Sequence, residues 1–255
     1  MKVTVLGGFA GLTSTGAGAS GYLVQHGGTA VVVDLGPGTL AELRRRVDIR
    51  TLDAIIVSHG HLDHVSDLPG LHHVLRYSPT PMPRTIPLLV PPGATRQFDL
   101  WHDAMPGWDD DALAVAEYDP SAELTVGEVT VRFAPTVHPL QGWAMRFSTS
   151  EAASIGYTAD TGPSADLGPL FDGVGVLISE STLVKSDEPD ETRGHLTAAE
   201  AGELAARANA STLILSHRWE EFEDAMLMAE AAKTFGGTIQ LGVPGLAVDA
   251  DQPNV

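Results

Sequence analysis

Ala54-Ile55-Ile56-Val57-Ser58-His59-Gly60-His61-Leu62-Asp63-His64 joins an apolar, β-branched run to three histidines and an aspartate. The run reads as a buried strand, and a glycine-containing turn ends it. The donors therefore stand where a rigid strand stops. In an extended chain positions i and i+2 share a face, so His59 and His61 can grip one ion together. Asp63 and His64 are adjacent and point apart, which directs them to a second ion as the chain turns into a helix. Imidazole and carboxylate donors suit zinc or a similar divalent ion. The plain alternative is a solvated, histidine-rich turn, whereas a pair of ions requires further donors downstream.

Three such donors each follow an apolar strand pattern. His138 comes after 129–134, Asp160 after the hairpin 143–148 and 154–158, and His217 after 212–215. Strand C-termini are where α/β proteins collect ligands. The set divides as His59, His61 and His138 on one ion and Asp63, His64 and His217 on the other, with Asp160 between them. Two divalent ions about 3.5–4 Å apart can hold a hydroxide as nucleophile and clamp a phosphoryl or carbonyl oxygen. Zinc-bound water has a pKa of about 7, so the expected activity is metal-dependent hydrolysis. Asp63, already a metal ligand, and His195 are the candidate catalytic residues. His195 lies off the ligand set near a helix start and suits a general acid for the leaving oxygen, its plainer role being a capping histidine.

Composition narrows the rest. The 255 residues can form one large α/β domain, 1–255, and no stretch reads as a linker. A formal charge of −18 sets the surface against nucleic acid, whose binding is driven by phosphate neutralisation. With no cysteine, every metal ligand must be His, Asp or Glu. The start of the chain lacks a signal-peptide pattern and no run approaches membrane-spanning length, so the expectation is a cytoplasmic protein that meets no membrane.

Along the chain, strands are expected over 2–6, 21–25, 29–34 and 86–90, then 124–126, 174–178 and 238–241. Helices are expected over 39–47, 67–77, 93–104, 198–208 and 220–235. The Gly-rich segment 7–18 lacks dinucleotide and P-loop spacing and reads as a rim loop. His72 and His73 on helix 67–77 either line the pocket or serve the surface. The acidic run at 109–111 lacks the donor spacing of a calcium loop and reads as a solvated turn. Thr197 reads as the N-cap of the helix after it. The tail after Asp249 is expected to be loose.

The ligand series His59-x-His61-x-Asp63-His64, His138, Asp160 and His217 resembles that of the metallo-β-lactamase superfamily, in the same order along nearly the whole chain. That resemblance implies an α/β, four-layer αββα sandwich with two ions at the edge of the paired sheets; the His and carboxylate donors suit zinc, and manganese or iron as well. Asp160 as bridging ligand is similar to the phosphoester-cleaving branches. Gly194-His195-Leu196-Thr197 is similar to the element of the ribonuclease Z and phosphodiesterase group whose histidine is the proposed general acid. The long RNA-gripping arm of ribonuclease Z, however, has no room between His138 and Asp160. Ala19-Ser20-Gly21-Tyr22-Leu23, Asp67-Leu68-Pro69-Gly70-Leu71 and Asp160-Thr161-Gly162 resemble actinobacterial atypical class II cyclic-nucleotide phosphodiesterases. Where those relatives tend to have an Ile-Pro-Pro-like run after the last histidine, this chain has Arg218-Trp219-Glu220.

The expected activity is hydrolysis of a small phosphodiester, 3′,5′-cyclic nucleotides favoured, with Arg218 and His72 as candidate substrate contacts and a homodimer implied by the group. Its rivals are hydrolysis of a carboxylic ester, lactone or thioester, a non-catalytic metal-binding protein, and a nuclease.

Overall fold

Alternation within the strands distributes the apolar side chains into three layers. Val31 and Val33 join one buried cluster while Ala30 and Val32 join another. Val176 and Ile178 join the first of these clusters, and Leu177 a third. Strands that are apolar on both faces need cover on both, and a one-residue slip would exchange the faces. The result is two sheets packed face to face with helices outside each, the α/β sandwich of the metallo-β-lactamase fold.

These features come from a computed structural model that describes residues 1–11, 16–80, 82–104, 111–151 and 153–251. The acidic turn expected at 109–111 lies outside the described residues except for Asp111. In chain order the first half comprises β1 (Lys2–Gly7), β2 (Gly21–His26), β3 (Thr29–Leu35), α1 (Thr39–Arg46), β4 (Ala54–Ile56), α2 (Leu62–Val65), α3 (Leu68–Tyr77), β5 (Ile86–Val90), α4 (Thr95–Ala104) and β6 (Leu113–Glu117). The second comprises β7 (Leu124–Val126), β8 (Val129–Pro135), β9 (Trp143–Ser148), β10 (Ile155–Tyr157), α5 (Gly168–Phe171), β11 (Val176–Glu180), α6 (Ala198–Arg207), β12 (Thr212–Ser216), α7 (Asp224–Ala231), β13 (Thr238–Leu241) and β14 (Ala247–Asp249).

One sheet runs β14-β1-β2-β3-β4-β5-β6 and the other β13-β12-β11-β10-β9-β8-β7. Each passes from antiparallel pairing to parallel pairing, the first at β3 and the second at β10. The pairings point β3, β4, β8, β10, β11 and β12 the same way within their sheets, so their C-terminal ends gather along one edge. There the sheets are tied together, Trp143 N donating to Ser58 O at 3.2 Å and Ala10 N to Arg218 O at 3.0 Å.

Two expectations need correction. The last helix occupies Asp224–Ala231 rather than 220–235, because the chain first makes a turn in which Phe222 N donates to Trp219 O. The start of the tail after Asp249 is docked: Ala250 is buried and donates to Met1 O, and Asp251 pairs with the Met1 ammonium. No helix among the described residues is long and apolar enough to cross a membrane.

Candidate metal centre

Backbone geometry at the strand ends aims the polar side chains inward. Among the described residues four non-glycines adopt left-handed backbone, Asp34, Ala159, Asn209 and His217, with φ of 54°, 51°, 54° and 46°. Three of them lie at this edge. Such conformations cost on the order of 1–3 kcal/mol each and persist where the surroundings over-determine them. After β4, His61 occupies the N-cap of α2, which places Asp63 and His64 in its single turn. That turn is held by Ser20 N on Asp63 O at 3.2 Å, with Gly36 alongside. A Cβ on Gly36 would stand 1.9 Å from the same carbonyl oxygen, so only glycine fits.

The seven donors form two overlapping groups, each with its ligand atoms within 4.8 Å of one another. His59, His61, His138 and Asp160 make one; Asp63, His64, Asp160 and His217 make the other. His61 Nδ1 stands 3.1 Å from His59 Nε2 and 3.0 Å from His138 Nε2. Asp160 Oδ2 is 3.6 Å from His59 Nε2, 3.8 Å from His138 Nε2 and 3.3 Å from His217 Nε2, while Oδ1 is 3.4 Å from His64 Nε2. His217 Nε2 reaches Asp63 Oδ2 at 3.1 Å.

A cation accounts for this arrangement better than hydrogen bonds do. Donors about 2.0–2.2 Å from a zinc ion at tetrahedral angles stand roughly 3.3–3.6 Å apart, close to the separations here. His64 Nε2 and Asp160 Oδ1 are buried without a hydrogen-bond partner, an arrangement that costs free energy unless something charged sits between them. The electrostatics agree. Burial opposes charge on His64, yet Asp160 and Asp34 hold its pKa well above the ordinary histidine range. Burial and neighbouring His64 drive His59 well below that range. Against burial, His217 and His64 hold both Asp63 and Asp160 well below the usual carboxylate range. The pocket demands positive charge beside Asp160, and the groups are able to bind metal.

Two buried carboxylates that sequence reading passed over orient the histidines. Asp34 accepts from His64 Nδ1 at 2.7 Å, from Tyr157 Oη at 2.8 Å and from Ser58 N and Oγ at 2.7 Å each. Ser58 Oγ in turn lies 3.1 Å from His59 Nδ1. Glu180 accepts from His195 Nδ1 at 3.1 Å, Thr182 Oγ1 at 2.7 Å, Thr161 N at 2.6 Å and Leu196 N at 3.0 Å. Thr182 Oγ1 lies 2.8 Å from His217 Nδ1. Each Nδ1 that donates outward leaves its Nε2 a lone pair facing inward, as metal-binding histidines require. His138 Nδ1 does the same with Gly194 O at 2.9 Å.

His195 stands outside both four-residue groups, its ring 4.9 Å from that of His138 and 5.6 Å from that of His217. Its side chain is 31% exposed. Burial pulls its pKa down, but the hydrogen bond and charge of Glu180, with Asp160 and Asp63 further off, raise it to about 9. The capping role falls to Thr197, which closes a capping box with Glu200 at the start of α6.

His73 is exposed and packs on Tyr77, while His72 is buried on α3. The expectation that Arg218 meets substrate is not supported, because its guanidinium is buried, bonded to Asp224 at 2.7 Å and laid over the Phe9 ring at 4.2 Å.

Comparison with known proteins agrees with this geometry. A beta-lactamase superfamily domain model matches residues 29–218. The probable metallo-hydrolase YhfI of Bacillus subtilis is 30% identical over 247 residues, covering 96% of this chain and 98% of that protein. Its crystal structure superposes with a TM-score of 0.88 at 29% identity, over 97% and 98% of the two chains. A ribonuclease Z of Mycolicibacterium paratuberculosis is 28% identical over 289 positions, covering 100% of both chains. A diphosphatase from the PhnP family shares the fold at 19% identity, with a TM-score of 0.75 over 97% of each chain. With its clustered histidines and aspartates at the shared sheet edge, the chain belongs to the beta-lactamase superfamily as a metallo-hydrolase.

Proposed function

We propose that this chain hydrolyses a small phosphodiester, with 3′,5′-cyclic nucleotides as preferred substrates and two divalent ions, zinc, manganese or iron, as cofactors. The observation that carries the reading is His195, a partly exposed imidazole beside the seven donors whose Nδ1 is held on a buried glutamate. Ions bound by the seven donors would supply a nucleophilic water at neutral pH and a grip on the phosphoryl oxygens. Glu180 keeps a proton on His195 and fixes the ring, so that Nε2 can deliver its proton to the departing ribose oxygen. Asp63 and Asp160 offer the carboxylates, and Asp34, Ser58 and Thr182 keep the imidazoles in register.

Three observations support a small substrate. Between His138 and Asp160 the chain forms the β9–β10 hairpin within the sheet and no protruding arm among the described residues. The alignment to ribonuclease Z spans 289 positions against 255 residues, so at least 34 positions have no counterpart here. The net charge of −18 points the same way, since a long RNA would meet repulsion over most of the surface.

Metal-loaded protein assayed on cyclic AMP, cyclic GMP and bis(p-nitrophenyl) phosphate, with p-nitrophenyl acetate and a lactone alongside, tests this. Turnover of the cyclic nucleotides that vanishes on dialysis against a chelator and returns with added ion is the expected result. Activity on the generic diester alone removes the nucleotide, and activity on the carboxylic esters alone removes the phosphodiester. Full metal occupancy with no turnover leaves a binding protein.

A further inference from the structure

Three of the seven large apolar side chains that stand exposed among the described residues lie within two positions after a candidate ligand: Leu62 after His61, Leu140 two positions past His138, and Trp219 two past His217. They come from three separate segments, the first residue of α2 and the loops after β8 and β12, each of which carries a candidate ligand. Single exposed apolar residues are ordinary, but this placement around one charged pocket is not what solvation would select. The indole of Trp219 is 41% exposed, and the far edge of its six-membered ring packs on the backbone of Gly11. A Cβ on Gly11 would stand 2.8 Å from the indole, and the residue's φ is +74°, so both the turn and the contact need glycine. Gly11 N donates to Asp63 Oδ2 at 2.9 Å. The aromatic ring is thus one residue removed from a candidate metal ligand, with a rigid contact between.

We infer that Trp219 is a specificity residue, a shelf on which the planar base of a cyclic nucleotide stacks while its phosphodiester faces the seven donors. The inference deepens the phosphodiesterase reading and takes its reacting group from it. Nearby charge favours a neutral ring over an anionic tail, because the neighbouring cation, Arg218, is already held by Asp224 and Phe9. Aromatic side chains hold bases by stacking with little regard to their hydrogen-bonding edges, so adenine and guanine should be accepted alike.

The test compares metal-loaded wild type, Trp219→Ala and Trp219→Phe on cyclic AMP and on ribose 3′,5′-cyclic phosphate lacking the base. Wild type should prefer cyclic AMP by about tenfold in kcat/KM, in line with the stacking energies of bases on aromatic side chains. W219A should bring that preference close to one through KM, and W219F should keep most of it. Equal losses on both substrates, an undiminished preference, or conversion of a dimer to a monomer by W219A in light scattering would each overturn the shelf. If wild type cleaves neither diester, the phosphodiesterase reading fails by itself, and adenosine binding then decides. Adenosine should quench the emission of wild type but not of W219F, and equal quenching of the two overturns the inference.

Discussion

Asp34 at the end of β3 and Glu180 at the end of β11 are wired alike and yet serve different ends. Each is buried, each takes one histidine Nδ1 directly, and each takes a second through a hydroxyl, Ser58 for His59 and Thr182 for His217. The difference lies in the histidine held directly. His64 on Asp34 is sealed in, with its Nε2 left to face Asp160, whereas His195 on Glu180 is partly open to solvent and outside both four-residue groups, clustering only with Glu180 and His217. A carboxylate behind an imidazole therefore does not specify its role. Exposure does: the buried ring offers a lone pair, and the open one can exchange a proton.

Replacing Glu180 by Gln should have the largest effect. Without the carboxylate His195 loses the group that favours its charged form, and kcat should fall by about 10²–10⁴, the usual contribution of general acid catalysis. Because Glu180 stabilises the imidazolium, its loss should also move the alkaline limb of the kcat profile to lower pH. Metal content measured by elemental analysis should fall much less than kcat. Parallel loss of metal and turnover would mean that the two carboxylates do the same job.

Asp34→Asn should invert that pattern. Outer partners of metal-binding histidines typically govern 10–100-fold in metal affinity, and His64 and His59 both depend on Asp34. Competition with a chromogenic chelator should show a loss in that range, with kcat largely recovered at saturating metal. Full affinity in this variant would break the comparison at its other end. A smaller effect, about tenfold in affinity, is expected when the hydroxyls alone are cut by Ser58→Ala or Thr182→Val. The two should match, since each leaves the directly held histidine in place.

What the sequence showed and hid has a physical basis in these same residues. His59, His61, His64, His138 and His217 are rare side chains after apolar runs, so their placement is legible one-dimensionally. Asp34 and Glu180 end the runs Val31-Val32-Val33 and Val176-Leu177-Ile178-Ser179 in the same way, but a lone acid at a strand end is ordinary. Their burial beneath histidines exists only once the sheets pack. Both nevertheless share the pattern of the candidate ligands, a polar residue closing an apolar strand. The strands β6 and β14 escaped because Leu-Ala-Val-Ala-Glu and Ala-Val-Asp carry residues of low strand propensity, and pairing with β5 and β1 supplies what propensity does not.

The smallest expected effect concerns how His195 is kept near Glu180 at all. Leu196 N donates to Glu180 and Thr197 caps α6, so the helix start holds the loop that carries His195. Thr197→Ala removes the side-chain half of the capping box, a loss of about 1 kcal/mol, which for a chain of this size lowers Tm by roughly 2–4 °C. Because Glu180 still grips His195 and Leu196, kcat should stay within about twofold of wild type. A calorimetric scan beside a single turnover assay separates the outcomes. If kcat falls as far as in Glu180→Gln while Tm barely moves, the cap and not the carboxylate sets the position of His195, and the contrast with His64 would have to be rebuilt on backbone rather than on burial.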